Sequence, residues 1–399
     1  MAKLIEDLGF RAPPPDEEAR ILANHMRGRA WRAHEPRSTF LIPAAVLSGD
    51  PLISYSGMVP NAPLGLASVG AARLRERAAW FLLSPTWSIE GEHIAGNLRE
   101  LAIRHRLDCP NHKIIFVCNT PEEASLLQEH NEAALFYNKT ANTLERIFRP
   151  LDGIRVEFDA IYNAQLAAWK RHELTLAIER CAFVCYRDES ASGSADVQQL
   201  ILARHGAVPG HVFINAFDGK NPPIRFPMPD VNRELNRASV GLCLSEREGA
   251  MFASTEYLLS GLPIVTTPRK GGRHVYHDRE FCWTASADPR SVADAVYALK
   301  AKEIPRAYIR DRVLRRLEAD RQRFLMLVSA MLEEGGSQRR LAGPWSLQKP
   351  ATMEWLPAED AVDRAAHGIV DAFGRAERGF LPWRVYRKWD RLKRRLMGG

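Results

Sequence analysis

Residues 238–272 read ASVGLCLSEREGAMFASTEYLLSGLPIVTTPRKGG, and the order of physical properties along them decides the fold. The apolar, partly β-branched run 240–244 has the length of a buried strand and breaks at the polar Ser245-Glu246-Arg247-Glu248-Gly249. From Met251 to Leu259 apolar residues return at helical spacing, and Ser260-Gly261 closes that helix. Pro263 blocks continuation, and Ile264-Val265-Thr266-Thr267 predicts a second strand. Strand, loop, helix, strand is one βαβ unit.

Two carboxylates sit in this unit with a spacing that bears on chemistry. Glu248 lies in the loop outside the carboxyl end of the first strand, where open α/β sheets bind ligands, and Glu256 lies inside the following helix. The N–H groups of a helix start attract phosphate, whereas a carboxylate repels it and accepts hydrogen bonds from hydroxyl groups. Acids beside such a start therefore suit a sugar or a ribose. The same residues would also suit an ordinary βαβ unit with solvated glutamates.

The register of these residues resembles the E-x7-E pattern of retaining GT-B glycosyltransferases, above all family 4. That family's usual form is EGFG, then L-E-A, then G-x-P-V-I-A-T. Here the frame reads Glu248-Gly249-Ala250-Met251, then Glu256-Tyr257, then Gly261-Leu262-Pro263-Ile264-Val265-Thr266-Thr267. The glutamates, the glycine and the proline keep their places, while the FG pair is lost. The resemblance implies an α/β protein of GT-B architecture: two Rossmann-like parallel-sheet domains facing a cleft, with a C-terminal helical extension.

It also implies residue roles. Glu248 would hold donor sugar hydroxyls, Glu256 the ribose hydroxyls, and the N–H groups from Gly249 through Ala250 and Met251 to Phe252 the donor diphosphate. The family's G-R-L-x-x-x-K places an arginine and a lysine on that diphosphate. Lys170 occupies the lysine position, but Gln165 stands where the arginine is expected, which removes a charge. Arg171 or Arg273 could replace it. Gly271-Gly272 matches the family's flexible pair near the phosphates, and Arg273-His274 stand where an acid commonly follows. A histidine of the first domain often lies near the reacting carbon, and His93 is its counterpart by position. The implied donor is a nucleotide-diphosphate sugar, with no cofactor and no metal; the chain has no Asp-x-Asp. The losses at Gln165, in EGFG and after Gly271-Gly272 also fit a catalytically reduced binding or scaffold protein.

The other segments alternate between strand and helix as a parallel sheet requires. Strands are expected at 38–46, 80–83, 112–119, 156–164, 181–186 and 211–216, and helices at 66–79, 94–107, 121–129, 170–180, 196–206, 231–237, 291–302 and 305–333. Residues 54–65 (SYSGMVPNAPLG) read as a loop on the acceptor side, and 188–194 as a serine-rich loop. Residues 222–229 form a proline-rich connection of the kind against which the family lays its nucleotide base. Asn138, Phe148 and Pro150 match the family's exit from its first domain. The resulting division is an arm over 1–37, an acceptor domain over 38–148, a donor domain over 149–342 and an extension over 343–399.

With 399 residues, 46% hydrophobic and 26% charged, the chain has the length of two ordinary domains. No run reaches the ~20 apolar residues of a membrane span and the first residues lack a signal peptide's apolar core, so a cytoplasmic location is expected. Cys118, Cys181, Cys185 and Cys243 lie in or beside apolar runs and read as buried thiols; Cys181 and Cys185 form C-x3-C, but no partner pair of cysteine or histidine stands at zinc-site spacing. Of the net charge of +7, residues 380–399 carry +6, from seven basic side chains against Asp390. The remaining +1 does not describe a nucleic-acid-binding body. The tail places Val385, Tyr386, Trp389, Leu392 and Leu396 on one helical stripe opposite its basic groups. That pattern suits peripheral attachment to an anionic membrane face or docking on the first domain.

Overall fold

The computed structural model describes residues 2–9, 40–186, 195–215, 224–337 and 355–370. The remainder of the expected arm, the loop at 188–194, Pro222-Pro223 and the tail at 380–399 lie outside the described residues.

After a short helix α1 (Ala2–Asp7), the first domain runs β1 (Leu41–Gly49), β2 (Leu52–Met58), α2 (Gly65–Leu74), β3 (Ala79–Pro85), α3 (Glu92–Asp108), β4 (His112–Cys118), α4 (Pro121–Glu129) and β5 (Ala134–Phe136). The second runs β6 (Phe158–Gln165), β7 (Cys181–Tyr186), α5 (Ala195–Gly206), β8 (His211–Phe213), α6 (Met228–Asn236), β9 (Ala238–Cys243), α7 (Phe252–Leu259), β10 (Ile264–Thr266), β11 (Cys282–Thr284), α8 (Pro289–Lys300) and α9 (Arg306–Glu334). The chain then adds β12 (Trp355–Pro357) and α10 (Ala358–Ala366). Two six-stranded sheets result, in the orders β12-β1-β2-β3-β4-β5 and β11-β10-β9-β6-β7-β8. The second is parallel throughout; in the first, β2 to β5 are parallel while β1 runs antiparallel to both neighbours. The expected α/β class with two parallel-sheet domains is what the molecule shows.

Local chemistry sets the element ends. Thr120 caps α4 by accepting from the Glu123 N–H at 3.0 Å, with Pro121 in the first turn, and Asp288 caps α8 from the Ser291 N–H at 2.9 Å. Both domains brace a helix end to a strand start with paired histidines. The Nε2–H of His112 donates to Leu74 O, so its Nδ1 accepts from His105 Nε2 at 2.8 Å. His211 donates to Ile178 O in the same way, and its Nδ1 lies 2.8 Å from His205 Nδ1. Burial drives the pKa of His105 down to about 3 and that of His205 to about 4, so both rings are neutral at physiological pH.

Four expectations are corrected. Residues 54–58 are not loop but part of β2, buried along its whole length between β1 and β3. The helix expected over 170–180 is replaced by two 3₁₀ turns, 168–170 and 172–175, separated by Arg171 at φ +52°, a left-handed conformation no α-helix tolerates. Of the extension expected over 343–399, the described residues 355–370 are not separate from the core: β12 pairs with β1, and α10 packs its buried Ala361, Val362 and Ala365 into the first domain's core. Helix α9 belongs to both domains, since Phe324 lies 5.6 Å from Tyr55 of β2 and 4.5 Å from Tyr137, just past β5, between ring centroids.

Candidate active site

Two loops at the carboxyl ends of β9 and β10 zip together. The Glu248 N–H donates to Lys270 O at 3.1 Å, the Lys270 N–H to Glu246 O at 2.9 Å and the Gly272 N–H to Gly249 O at 2.9 Å. Glycine is required where they touch. Gly271 has φ +88°, and a Cβ there would stand 1.6 Å from Glu248 O. At Gly249 a Cβ would come within 2.9 Å of Thr86 O and Trp87 Cα, backbone of the first domain. Helix α7 then starts at Phe252 behind Met251, with no side-chain cap. Met251 is buried, while Ala250 and Phe252 are half-buried.

Three of the residues expected at the site meet at the carboxyl end of β6. Lys170, in the 3₁₀ turn that follows β6, forms an ion pair with Glu248. Ser245 Oγ donates to the same carboxylate at 2.7 Å, and the Tyr162 hydroxyl donates to Lys170 O at 2.6 Å. Lys170 also lies 4.0 Å over the ring of Trp169. Burial holds the Lys170 ammonium below the usual lysine range, against the pull of Glu248. Glu256, 5% exposed on α7, accepts from Asn163 Nδ2 at 3.3 Å, and Asn163 is a β6 residue. Neither acid nor the lysine is solvated: Glu248 is 8% and Lys170 5% exposed.

The remaining expected residues divide. Gln165 ends β6 and is buried. Arg171 and Arg273 are committed to backbone. Arg171 Nε donates to Leu244 O at 2.7 Å, and Arg273 donates to Ser245 O and, at 2.7 Å, to Thr267 O. Burial lowers the Arg273 pKa to about 10, which leaves it cationic. Both arginines thus hold the strand ends. Gly272 is clamped to the first domain, where Asn138 Nδ2 donates to Gly272 O at 2.8 Å and to Asn119 O at 2.9 Å. His93 stands exposed in the first turn of α3 and joins none of these bonds. The nearby first-domain residue that does reach the site is Glu90, whose Oε1 accepts from the Gly271 N–H at 3.0 Å.

Sequence reasoning missed a buried carboxylate and lysine under the cleft. Glu123 is wholly buried and accepts from the Ile89 and Asn119 N–H groups at 2.9 Å each; burial raises its pKa to about 7. Lys139 donates to Pro85 O at 2.6 Å, and burial lowers its pKa to about 8 against the fields of Glu123 and Glu248. The only sequence signal was the position of Glu123 in a helix first turn.

A cavity of about 560 Å³ opens among Pro121, Phe136, His274, Tyr276 and Arg316. Lys170, Glu248 and Glu256 do not line it, and the bonded constellation identifies the site better than this volume does. Among the described residues, one group, His105, Cys109 and His112, gathers metal-ligand atoms within 4.8 Å of one another, a cluster that no expected zinc-site spacing announced. It lies at the amino end of β4, the opposite end of that strand from Cys118, and a single hydrogen bond joins its two histidines, which leaves His105 Nδ1 buried without a partner. All six cysteines are free thiols, buried except for the half-buried Cys282.

No protein-family model matches the chain, and no curated protein does. Solved structures share its overall course at low identity. A glycosyltransferase from Rickettsia africae ESF-5 is 11% identical, with 72% of this chain and 77% of that one covered at a TM-score of 0.49. TarM is 11% identical over 65% of this chain at 0.47, and this chain spans 58% of its length. HepE from Anabaena, solved in complex with UDP, is 13% identical over 67% of this chain and 75% of that one, also at 0.47. Likeness at these values assigns neither activity nor ligand to this chain.

Proposed function

We propose that this protein transfers a sugar from a nucleotide-diphosphate donor to a glycan or lipid-linked acceptor, with retention of configuration and without a metal ion. One observation carries the reading: Lys170, Glu248 and Glu256 converge on the carboxyl end of β6 beside the start of α7. A cation and a helix start suit a departing diphosphate, and two buried acids suit hydroxyl groups. Donor binding would draw Lys170 from Glu248 onto the diphosphate and free the carboxylate for the sugar. The acceptor oxygen then bonds to the anomeric carbon as that carbon's bond to the phosphate oxygen breaks. The electron pair leaves with the diphosphate, and the acceptor's proton passes to the departing oxygen on the same face.

A second reading has its own support. Gln165 brings no charge and both nearby arginines are tied to carbonyls, as in a protein that binds nucleotide sugars without turning them over. Incubation with a panel of nucleotide sugars separates the two. Release of nucleoside diphosphate, with an acceptor product of unchanged anomeric configuration, supports transfer. Binding without release supports the second reading, and neither binding nor release removes both.

A further inference from the structure

Above the buried Lys170–Glu248 pair stand two tryptophans, one from each domain. Trp87 follows β3 in the first domain and is 45% exposed; Trp169 is half-buried in the turn after β6. Their rings meet edge to face, with centroids 5.3 Å apart and an interplanar angle of 74°. Lys170 lies 4.0 Å over the Trp169 ring, and the Trp87 backbone abuts Gly249. The aromatic pair is therefore one side chain away from Glu248 and open to solvent on the Trp87 side.

We infer that Trp87, seated on Trp169, is the platform on which the acceptor's sugar ring stacks. This rests on the proposed transfer reaction and names the acceptor's chemical class: a pyranoside. An exposed indole face covers apolar area well, and a pyranose offers it a flat face of C–H groups while its rim of hydroxyls remains polar. Two carboxylates lie in the same neighbourhood, Glu248 paired with the Lys170 that covers Trp169 and Glu90 three residues along the chain from Trp87. The placement also meets the needs of the reaction. The acceptor hydroxyl must reach a carbon held beside Glu248 from the first-domain side, and the Thr86-Trp87 backbone of the first domain abuts Gly249 there, with Trp87 the more exposed of the two side chains.

Two readouts test this. Saturation-transfer NMR with methyl pyranosides of glucose, galactose, mannose and N-acetylglucosamine needs no turnover. At least one should receive saturation at its axial ring protons from wild type and from Trp87→Phe, and none from Trp87→Ala. In steady-state transfer to the same glycosides, Trp87→Ala should raise the acceptor KM about tenfold, with Trp87→Phe restoring most of it. Retention of stacking or of the acceptor KM in Trp87→Ala would overturn the platform, as would wild-type transfer to glycerol phosphate and to no pyranoside. The transfer reading fails separately: if wild type releases no nucleoside diphosphate from any donor, that reading falls, and the NMR result still decides the stacking.

Discussion

Replacing Lys170 by methionine removes one half of a pair whose side chains are 6% and 10% exposed. The Glu248 carboxylate would remain buried with the Ser245 hydroxyl at 2.7 Å as its close partner and no cation bonded to it. Breaking a buried pair in this way costs about 3–5 kcal/mol. The charges of Arg273 and Lys139 reach Glu248 and soften the loss, which places the expectation near the lower end, about 3 kcal/mol. Lys170→Met with Glu248→Gln together leaves no uncompensated charge and should cost about 1 kcal/mol, so the two changes couple by about 2 kcal/mol or more. Urea unfolding at neutral pH, with midpoint and slope both fitted, measures this. Activity should not follow stability: nucleotide release should fall about 10²–10³-fold in Lys170→Met and stay low in the double variant, because no cation meets the leaving group. Additive stabilities would refute the buried-pair reasoning, and recovered release in the double variant would refute the role given to Lys170.

Glu123 makes stability depend on pH with a definite sign. Its folded pKa of about 7 exceeds the ordinary 4.5, so the folded state holds the extra proton between those values and stability falls as pH rises through that window, by about 3 kcal/mol in all. Glu123→Gln should flatten the profile between pH 4.5 and 7; parallel profiles for the two proteins would contradict the assignment. Gly271→Ala forces a left-handed φ of +88° and an overlap with Glu248 O, so a loss of about 1–3 kcal/mol from backbone strain alone is expected in thermal unfolding, and an unchanged midpoint would show the loop is not built as described. If residues 380–399 seek an anionic membrane, their deletion should abolish sedimentation with anionic liposomes and spare donor turnover; unchanged sedimentation would remove that role.

The βαβ unit was legible because local and tertiary demands agree there. Expected strands at 240–244 and 264–267 and a helix at 251–259 compare with Ala238–Cys243, Ile264–Thr266 and Phe252–Leu259. Strand β2 was hidden because close packing chose small residues that read as loop: a Cβ at Gly57 would stand 2.4 Å from the Pro43 ring. The turn at Arg171 was hidden because arginine carries no signal for a left-handed backbone. Lys170, Glu248 and Glu256 could be picked out because their residue types match chemistry at a known spacing. Glu123, Lys139 and Asn163 could not, since each gains its meaning from a partner or a burial that only folding supplies. Three-residue strands such as β11 and β12 exist through pairing and carry no period of their own.

The central claim is that a diphosphate lies between Lys170 and the start of α7. A crystal structure with a bound nucleoside diphosphate tests it most directly. The account predicts phosphate oxygens within hydrogen-bonding distance of Lys170 Nζ and of N–H groups among residues 249–252, with the Lys170–Glu248 pair opened and ribose hydroxyls on Glu256. A diphosphate bound elsewhere, with Lys170 still held by Glu248, would contradict it.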